Sequence, residues 1–241
     1  MNENSSQENF EQYDAIVIGT GISGGWAAKE LSERGLKTLV LERGRMVNHI
    51  KDYPTMNMDL WDFEHRGKAT TEDIKTQEKQ NRTGYTINEA SKHWFVNDLQ
   101  HPYNETKRFD WIRGYHVGGK SLMWARISLR WSEMDFEANK KDGHGVDWPI
   151  RYNDLKPWYE KVEKFVGISG KAEGLPQLPD SIFTPPMPLN CVEEEFQKGV
   201  AENFDDRQVI NGRSANLTGD QERVGRSKCQ FRNRCIRGCP F

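Results

Sequence analysis

The regular pattern of the chain starts with a short apolar run, "DAIVIG" (Asp14–Gly19), rich in β-branched residues and closed by glycine. Such a run predicts a fully buried parallel strand. Next comes a stretch that places Ala27, Ala28 and Leu31 on one helical face, with Gly35 positioned to end the helix. "KTLVLE" (Lys37–Glu42) predicts a second strand, so the first stretch reads as a βαβ unit. Later, in "DWPIRYNDLKPWYEKVEKFVGI", Leu155, Trp158, Tyr159, Val162, Phe165 and Val166 recur at helical spacing. This predicts a packed helix capped by Asn153 or a neighbour and ended by Gly167, not a binding site. "CVEEEFQKGVAENF" predicts another amphipathic helix, with Val192, Phe196 and Val200 on one side and Cys191 buried at its start.

The rest is less periodic. Residues 50–106 are polar with scattered aromatics (Tyr53, Trp61, Phe63, Tyr85, Trp94, Phe95), and no element is assigned there. From Gly170 to Pro188 the chain is rich in proline and glycine and is expected to run as an extended connection. The expected organisation is a disordered tail (1–12), a Rossmann-like βαβ unit (13–49), and an insertion acting as lid or interface (50–106). A second glycine-bearing segment with its helix (107–169) and a connector, helix and cysteine-rich segment (170–241) follow.

Composition narrows the classes. Lysine plus arginine (34) nearly balances aspartate plus glutamate (36), which argues against a general polyanion-binding role. No apolar run approaches the roughly 20 residues that span a bilayer. The start, "MNENSSQENFEQ", has neither a basic n-region nor an apolar h-region, so no signal peptide is expected. The expected location is cytoplasmic, or periplasmic through export with a partner subunit that carries a signal. The load of 8 Trp, 7 Tyr and 11 Phe suits a folded protein better than disorder.

The turn after the first strand carries Gly19-x-Gly21-x-x-Gly24, and Glu42 stands 18 residues past Gly24. The first glycine permits the tight turn, and the second lets backbone N–H groups approach a pyrophosphate. The third lets helix and strand pack closely, and the helix N-terminus faces the anion. Glu42 is placed to accept hydrogen bonds from a ribose hydroxyl. A dinucleotide site follows, with FAD and NAD both open on this unit alone. A second glycine cluster lies in "FDWIRGYHVGGKSLMWARISLRW" (109–131), as Arg113-Gly114-x-x-x-Gly118-Gly119-x-Ser121. Paired glycines let a backbone lie flat against a ligand, and a hydroxyl two residues on can bind a phosphate or ring carbonyl. By itself the cluster is equally well read as an ordinary loop with a turn.

Together, "YDAIVIGTGISGG", "VLERG", "RGYHVGGKSLMW" and "DWPIRYNDLKPWYEKVEKFVGISG" resemble the glucose–methanol–choline (GMC) oxidoreductases over the first two-thirds of the chain. The resemblance implies an α/β fold, in which a Rossmann-like FAD-binding domain is interleaved with an α+β substrate domain that is incomplete in this chain. It implies cofactor contact at Gly19, Gly21, Ser23, Gly24, Glu42, Arg43, Arg113, Val117, Gly118, Gly119, Ser121 and Trp124, with core packing an equal reading for Trp124. Some sugar-oxidising members attach FAD covalently through a histidine just before this tryptophan. Met123 stands there and cannot form the link, so FAD is expected to be non-covalent. His116 is expected to be structural, and His93 and His101 show no metal-ligand spacing.

Three of the four cysteines, Cys229, Cys235 and Cys239, share the segment "KCQFRNRCIRGCPF" with Arg232, Arg234 and Arg237, and Arg223, Arg226 and Lys228 precede them or lie beside them. A disulfide would leave one thiol over, and zinc would need a fourth ligand such as Cys191. An iron–sulfur cluster is held by clustered thiolates, and a closing Cys-Pro recurs in ferredoxins. Three thiolates suit a three-iron (3Fe–4S) cluster, or a four-iron one with an outside ligand; a solvated basic loop with incidental cysteines is the plain alternative. A bacterial GMC branch, the catalytic subunits of glucoside 3-dehydrogenases, is similar in "GGKSLMW" and in a cysteine triplet of this kind. That resemblance implies cluster ligation by Cys229, Cys235 and Cys239. It also implies oxidation of a sugar or alcohol on FAD and electron transfer through the cluster to a cytochrome or other acceptor, with a small partner subunit. The family's catalytic histidine has no counterpart in this sequence and is expected downstream of Phe241, so an inactive amino-terminal fragment is expected. Two rival readings are an NAD(P)-dependent Rossmann dehydrogenase, and a zinc-binding or redox-sensing cysteine module without catalysis.

Overall fold

The computed structural model describes residues 11–84, 86–219 and 226–239. Tyr85, Arg223, Pro240, Phe241 and most of the expected tail lie outside the described residues. The chain divides into two compact units: residues up to Trp124 together with the stretch from Arg232, and Ala125–Phe231. The division falls inside the stretch 107–169 that the sequence groups as one.

In the first unit, strand β1 (Ala15–Ile18) pairs in parallel with β2 (Thr38–Leu41), Ala15 opposite Thr38 and Ile18 opposite Leu41. Helix α1 (Ile22–Glu33) joins them, and Arg34 caps it just before Gly35, whose φ of 84° is a left-handed conformation that glycine adopts without strain. The βαβ unit expected from the sequence is therefore present. Its burial differs from expectation: Val17 alone is buried in β1, while Ile16 and Ile18 are 61% and 84% exposed. Burial of a parallel strand requires neighbours on both edges and cover on both faces. Among the described residues β1 pairs with β2 alone.

The apolar core of this unit comes from the region where no element was assigned. Phe63, Ile87, Ala90, Trp94 and Val96 are all buried. Short helices α2 (Thr71–Thr76) and α3 (Glu78–Asn81) lie in this region, along with single 3-10 turns at Leu60–Asp62 and Lys92–Trp94. α2 starts at a capping box: the Thr70 hydroxyl accepts the Asp73 N–H, and the Asp73 carboxylate accepts the Thr70 N–H at 2.9 Å. Elements this short present too few turns for a period to register.

The second unit contains helices α4 (Glu133–Asp142), α5 (Tyr152–Val166) and α6 (Cys191–Asn203). Two-residue strands β3 (Ile168–Ser169) and β4 (Phe183–Thr184) pair in parallel, so the expected extended connection is partly a strand. Arg213 organises that connection: its guanidinium donates to Leu178 O, Pro179 O and the Asp180 carboxylate. α5 begins at Arg151, whose N–H donates to the Asp154 carboxylate at 2.8 Å, and ends at Gly167.

Two expectations fail in this unit. The apolar stripe of α5 is only partly covered, since Trp158, Val162 and Phe165 are exposed while Leu155, Tyr159 and Val166 are half-buried. The face it buries carries Glu163, which forms a two-pronged pair with buried Arg130, while Arg130 Nη1 donates to the Tyr152 hydroxyl at 2.9 Å. A buried arginine must be neutralised, and that requirement sets which face of α5 turns inward. α6 forms as expected on its Asn190 cap, but Cys191 at its start is exposed, with Val192 and Phe196 beside it. The first turn of a helix whose apolar side is uncovered leaves its side chains in solvent.

Removing one partner of a buried ion pair strands a charge, at a cost of about 3–5 kcal/mol. Glu163→Ala is therefore expected to lower the denaturant midpoint of the second unit strongly, with Glu163→Gln costing less. An unchanged midpoint for Glu163→Ala would show that Arg130 does not depend on this partner.

Candidate functional site

The site is built on the turn between β1 and α1. Gly19 has φ 89°, and a Cβ at Gly24 would lie 2.0 Å from Gly19 O, so neither position admits a larger residue without distortion. Around Gly19 and Gly21 a Cβ would meet nothing within 4 Å: the backbone is bare and faces open space. The α1 N-terminus, at Gly21, has no side-chain cap and no acidic residue in its first turn, which leaves its amides and positive dipole end available to an anion.

The second glycine segment lies against the first. Val117 N–H donates to Arg45 O at 2.9 Å, and Arg45 and His116 form a parallel bridge just beyond β2. A Cβ at Gly44 would lie 2.1 Å from His116 N, so this approach depends on glycine at position 44. Gly118 and Gly119 have φ of 91° and 53° and open a 3-10 turn, Gly119–Met123. A Cβ at Gly119 would stand 3.2 Å from Gly21 Cα. Two glycine segments about a hundred residues apart in sequence thus form one continuous strip of bare backbone. Ser121 closes it, its hydroxyl donating to Gly118 O.

Glu42 and Thr20 tie the strip together. One Glu42 oxygen accepts the Thr20 N–H at 2.8 Å and the Thr20 hydroxyl at 2.6 Å, and the other accepts the Gly44 N–H at 2.8 Å. The Thr20 hydroxyl in turn accepts the Gly118 N–H at 3.0 Å. The Thr20 hydroxyl first, then the Gly44 and Thr20 amides, hold the Glu42 carboxyl below the usual carboxylate range, so it is ionised at neutral pH. Thr20 and Gly44 were missed as site residues. Thr20 occupies a variable place of the glycine motif, and Gly44 was visible only as part of "VLERG".

The remaining candidates are placed as follows. Arg113 is buried and directed away from the strip: its guanidinium donates to Asp98 at 2.6 Å and His101 O at 2.7 Å, and its N–H to Gln80 Oε1 at 2.9 Å. Arg43 stacks on the Tyr115 ring at 3.8 Å. Ser23 is exposed on the first turn of α1, Val117 is half-buried, and Trp124 is 37% exposed. His116 is buried edge-on to Trp94, and burial pushes its imidazole below the ordinary histidine value. His93 beside it is pushed by burial to about 4.

None of the four cysteines is in a disulfide. Cys229 belongs to the second unit, with its sulfur accepting the Phe231 N–H at 3.5 Å, while Cys235 and Cys239 belong to the first. Among the described residues no group of three His, Cys, Asp or Glu side chains comes together to hold a metal. Arg234 Nη1, next to Cys235, is buried without a hydrogen-bond partner, while its Nη2 donates to Asp59.

A βα turn of bare glycines with an ionised acid just past the second strand is an arrangement that α/β folds use to bind nucleotides. No family model matches the chain. It is 28% identical to the gluconate 2-dehydrogenase flavoprotein of Pantoea cypripedii over 68% of its own length and 26% of the relative's. It is 26% identical to the fructose dehydrogenase large subunit of Gluconobacter japonicus over 95% and 40%.. It is 29% identical to the 2-methyl-1,2-propanediol dehydrogenase of Mycolicibacterium austroafricanum over 70% and 27%. These are GMC-family oxidoreductases, so the resemblance read from the glycine motifs holds. The chain spans between a quarter and two-fifths of their length.

Thr20→Val removes the one hydroxyl shared by Glu42 and Gly118 and leaves both short of a partner, with an expected stability loss of about 1–3 kcal/mol. Thr20→Ser should restore it. Because the Glu42 value is lowered by folding, its contribution is present above the ordinary carboxylate range and is lost as pH falls through the lowered folded value. Denaturant midpoints as a function of pH should therefore converge for wild type and Thr20→Val on acidification. Parallel curves would remove Glu42 from the account.

Proposed function

We propose that this chain provides the dinucleotide-binding portion of an FAD-dependent oxidoreductase acting on CH–OH groups of sugars or related alcohols. In this reading the nucleotide domain is Rossmann-like and interleaved with an α+β substrate domain. The observation that carries the proposal is the contact of Gly119 with Gly21, which makes one bare strip of two glycine segments at the start of α1. The residues fit the group. The amides of the first turn of α1 would bind the pyrophosphate, Glu42 would accept a ribose hydroxyl, and the Gly118–Gly119 backbone would lie along the extended flavin half. The second segment favours FAD over a nicotinamide dinucleotide, whose site needs only the first. The names of the relatives, a flavoprotein and sugar or alcohol dehydrogenases, support the same class.

Bound FAD supplies the hydride acceptor. The work of this chain is to hold that group and to keep Glu42 ionised toward it. Met123, at the place of the linking histidine, supports non-covalent attachment. The base that takes the hydroxyl proton is not assigned to a residue of this chain. Transfer of electrons to a cytochrome or another subunit, through an iron–sulfur cluster at Cys229, Cys235 and Cys239, is a further part of the proposal. Thiols outside any disulfide, the arginines around them and the unpartnered Arg234 nitrogen support it. The cellular location proposed is the cytoplasm, or the periplasm by export with a partner; no helix among the described residues is long and apolar enough to cross a membrane.

Acid precipitation of the purified protein should leave yellow flavin in the supernatant, and a yellow pellet would overturn non-covalent attachment. Gly119→Val should lower flavin content by about tenfold or more, because its side chain would fill the strip. Undiminished flavin would refute the site. Iron and acid-labile sulfide in wild type, lost in Cys239→Ser, test the relay separately.

A further inference from the structure

The stretch from Arg232 returns to the first unit, and what receives it is specific. Both oxygens of Asp59 are engaged by arginines flanking Cys235: Oδ1 accepts Arg237 Nη1 at 2.9 Å and Oδ2 accepts Arg234 Nη2 at 3.1 Å. Arg237 Nη1 also donates to Met58 O at 2.6 Å. The buried Thr55 hydroxyl lies 3.0 Å from Arg237 O and 3.1 Å from Ala90 O, so one side chain links the cysteine segment to the core. Gly238, next to Cys239, has φ 88° and sits on Tyr53; a Cβ there would lie 3.2 Å from the Tyr53 Cβ and Cγ. Apart from the Thr55–Ala90 bond, these contacts join residues 53–59 to residues 234–238, about 180 positions apart.

The contact continues inward. The Tyr53 ring meets Trp94 edge-on at 6.1 Å, and Trp94 meets His116 at 5.5 Å. His116 adjoins Val117 and Gly118 of the second glycine segment. The receiving loop is therefore packed against the thiol-bearing turn on one side and connected through aromatic rings to the glycine strip on the other.

We infer that the loop Tyr53–Asp59 is the seat of the Cys235–Cys239 turn, and that Asp59 is the positioning residue that holds those two thiols. A carboxylate accepting from two guanidinium groups makes charge-assisted bonds that fix both ends of the 3-10 turn Cys235–Arg237. Met58 O and Thr55 hold the backbone between them. The seat gives a role to part of the region expected to be only a lid or interface. It rests on the proposed redox role of the cysteines for its purpose, but not for its geometry.

The test is the rate at which each thiol is alkylated in the full-length protein as isolated, resolved by peptide mass spectrometry. Asp59→Asn keeps size and helix-capping ability but removes the charge. Gly238→Ala pushes the turn off Tyr53 from the opposite side, so the test does not depend on one variant folding. Each should raise the alkylation rate of half-buried Cys239 about tenfold through local opening, while Cys229, which belongs to the other unit, keeps its rate. An unchanged Cys239 rate in both variants overturns the seat. So does an equal rise for Cys229, which would mean general loosening. Iron and sulfide measured on the same samples separate the two ideas. If wild type holds no iron yet Cys239 is selectively released in the variants, the relay fails and the seat stands. If the variants keep wild-type iron and Cys239 protection, the seat fails and the relay stands.

Discussion

The first unit depends on one carboxylate. Glu42 ends β2, and through Thr20 it reaches the turn after β1 and the amide of Gly118. Beside the backbone bridge of Arg45 to His116, that link is what holds the two glycine segments in contact, because glycines contribute no side chains. Bare backbone is useful to a flat, phosphate-bearing ligand and poor at self-assembly. The polar links around Glu42 supply the order that side-chain packing cannot. Arg113 at the start of the second segment is held in turn by Asp98 and Gln80, both buried. The glycine strip thus depends on partly buried polar groups with fixed partners.

The same reliance on polar contacts appears in the second unit, where Arg130 with Glu163 and Arg213 with Asp180 set the arrangement of α5 and of the proline-rich connection. Meanwhile large apolar side chains stay outside: Ile16 and Ile18 on β1, Trp158 and Phe165 on α5, Val192 and Phe196 on α6. Hydrophobic burial alone does not specify these elements within the chain. Polar groups with fixed partners do, and they are more selective about geometry because a missed hydrogen bond costs more than a loosely packed methyl.

The strand–turn–helix–strand order of the first unit was legible in the sequence because each piece has its own signal. β-branched residues mark the strands, and spaced glycines mark the turn. Gly35 and Gly167 end their helices where expected, since a left-handed residue after the last turn is a local requirement. Burial was not legible. A helical stripe such as Leu155 to Val166 states that one face is apolar, and says nothing about whether another element will cover it. Glu163 shows the failure plainly: a charged residue beside the stripe is buried because an arginine 33 positions earlier requires it. The core around Trp94 and Phe63 was hidden for a different reason, as its elements are shorter than the periods used to detect them. Within the site, the glycines announced themselves, whereas Thr20 did not, because its role depends on what lies across from it in space.

The stretch from Arg232 has a consequence for how the chain folds. The first unit is discontinuous, made of residues up to Trp124 and a return segment, with the whole second unit inserted in the loop between them. Thr55 and Arg237, in contact, are 182 positions apart in sequence. The entropy of closing so long a loop grows only with the logarithm of its length, so the cost at equilibrium is modest. Its effect is on timing. During synthesis Thr55 and Asp59 lack their Arg234 and Arg237 partners until the second unit has been made and the cysteine turn emerges. Topology thereby sets an order: the inserted unit is made before the segment that carries Cys235 and Cys239 can reach the residues it contacts.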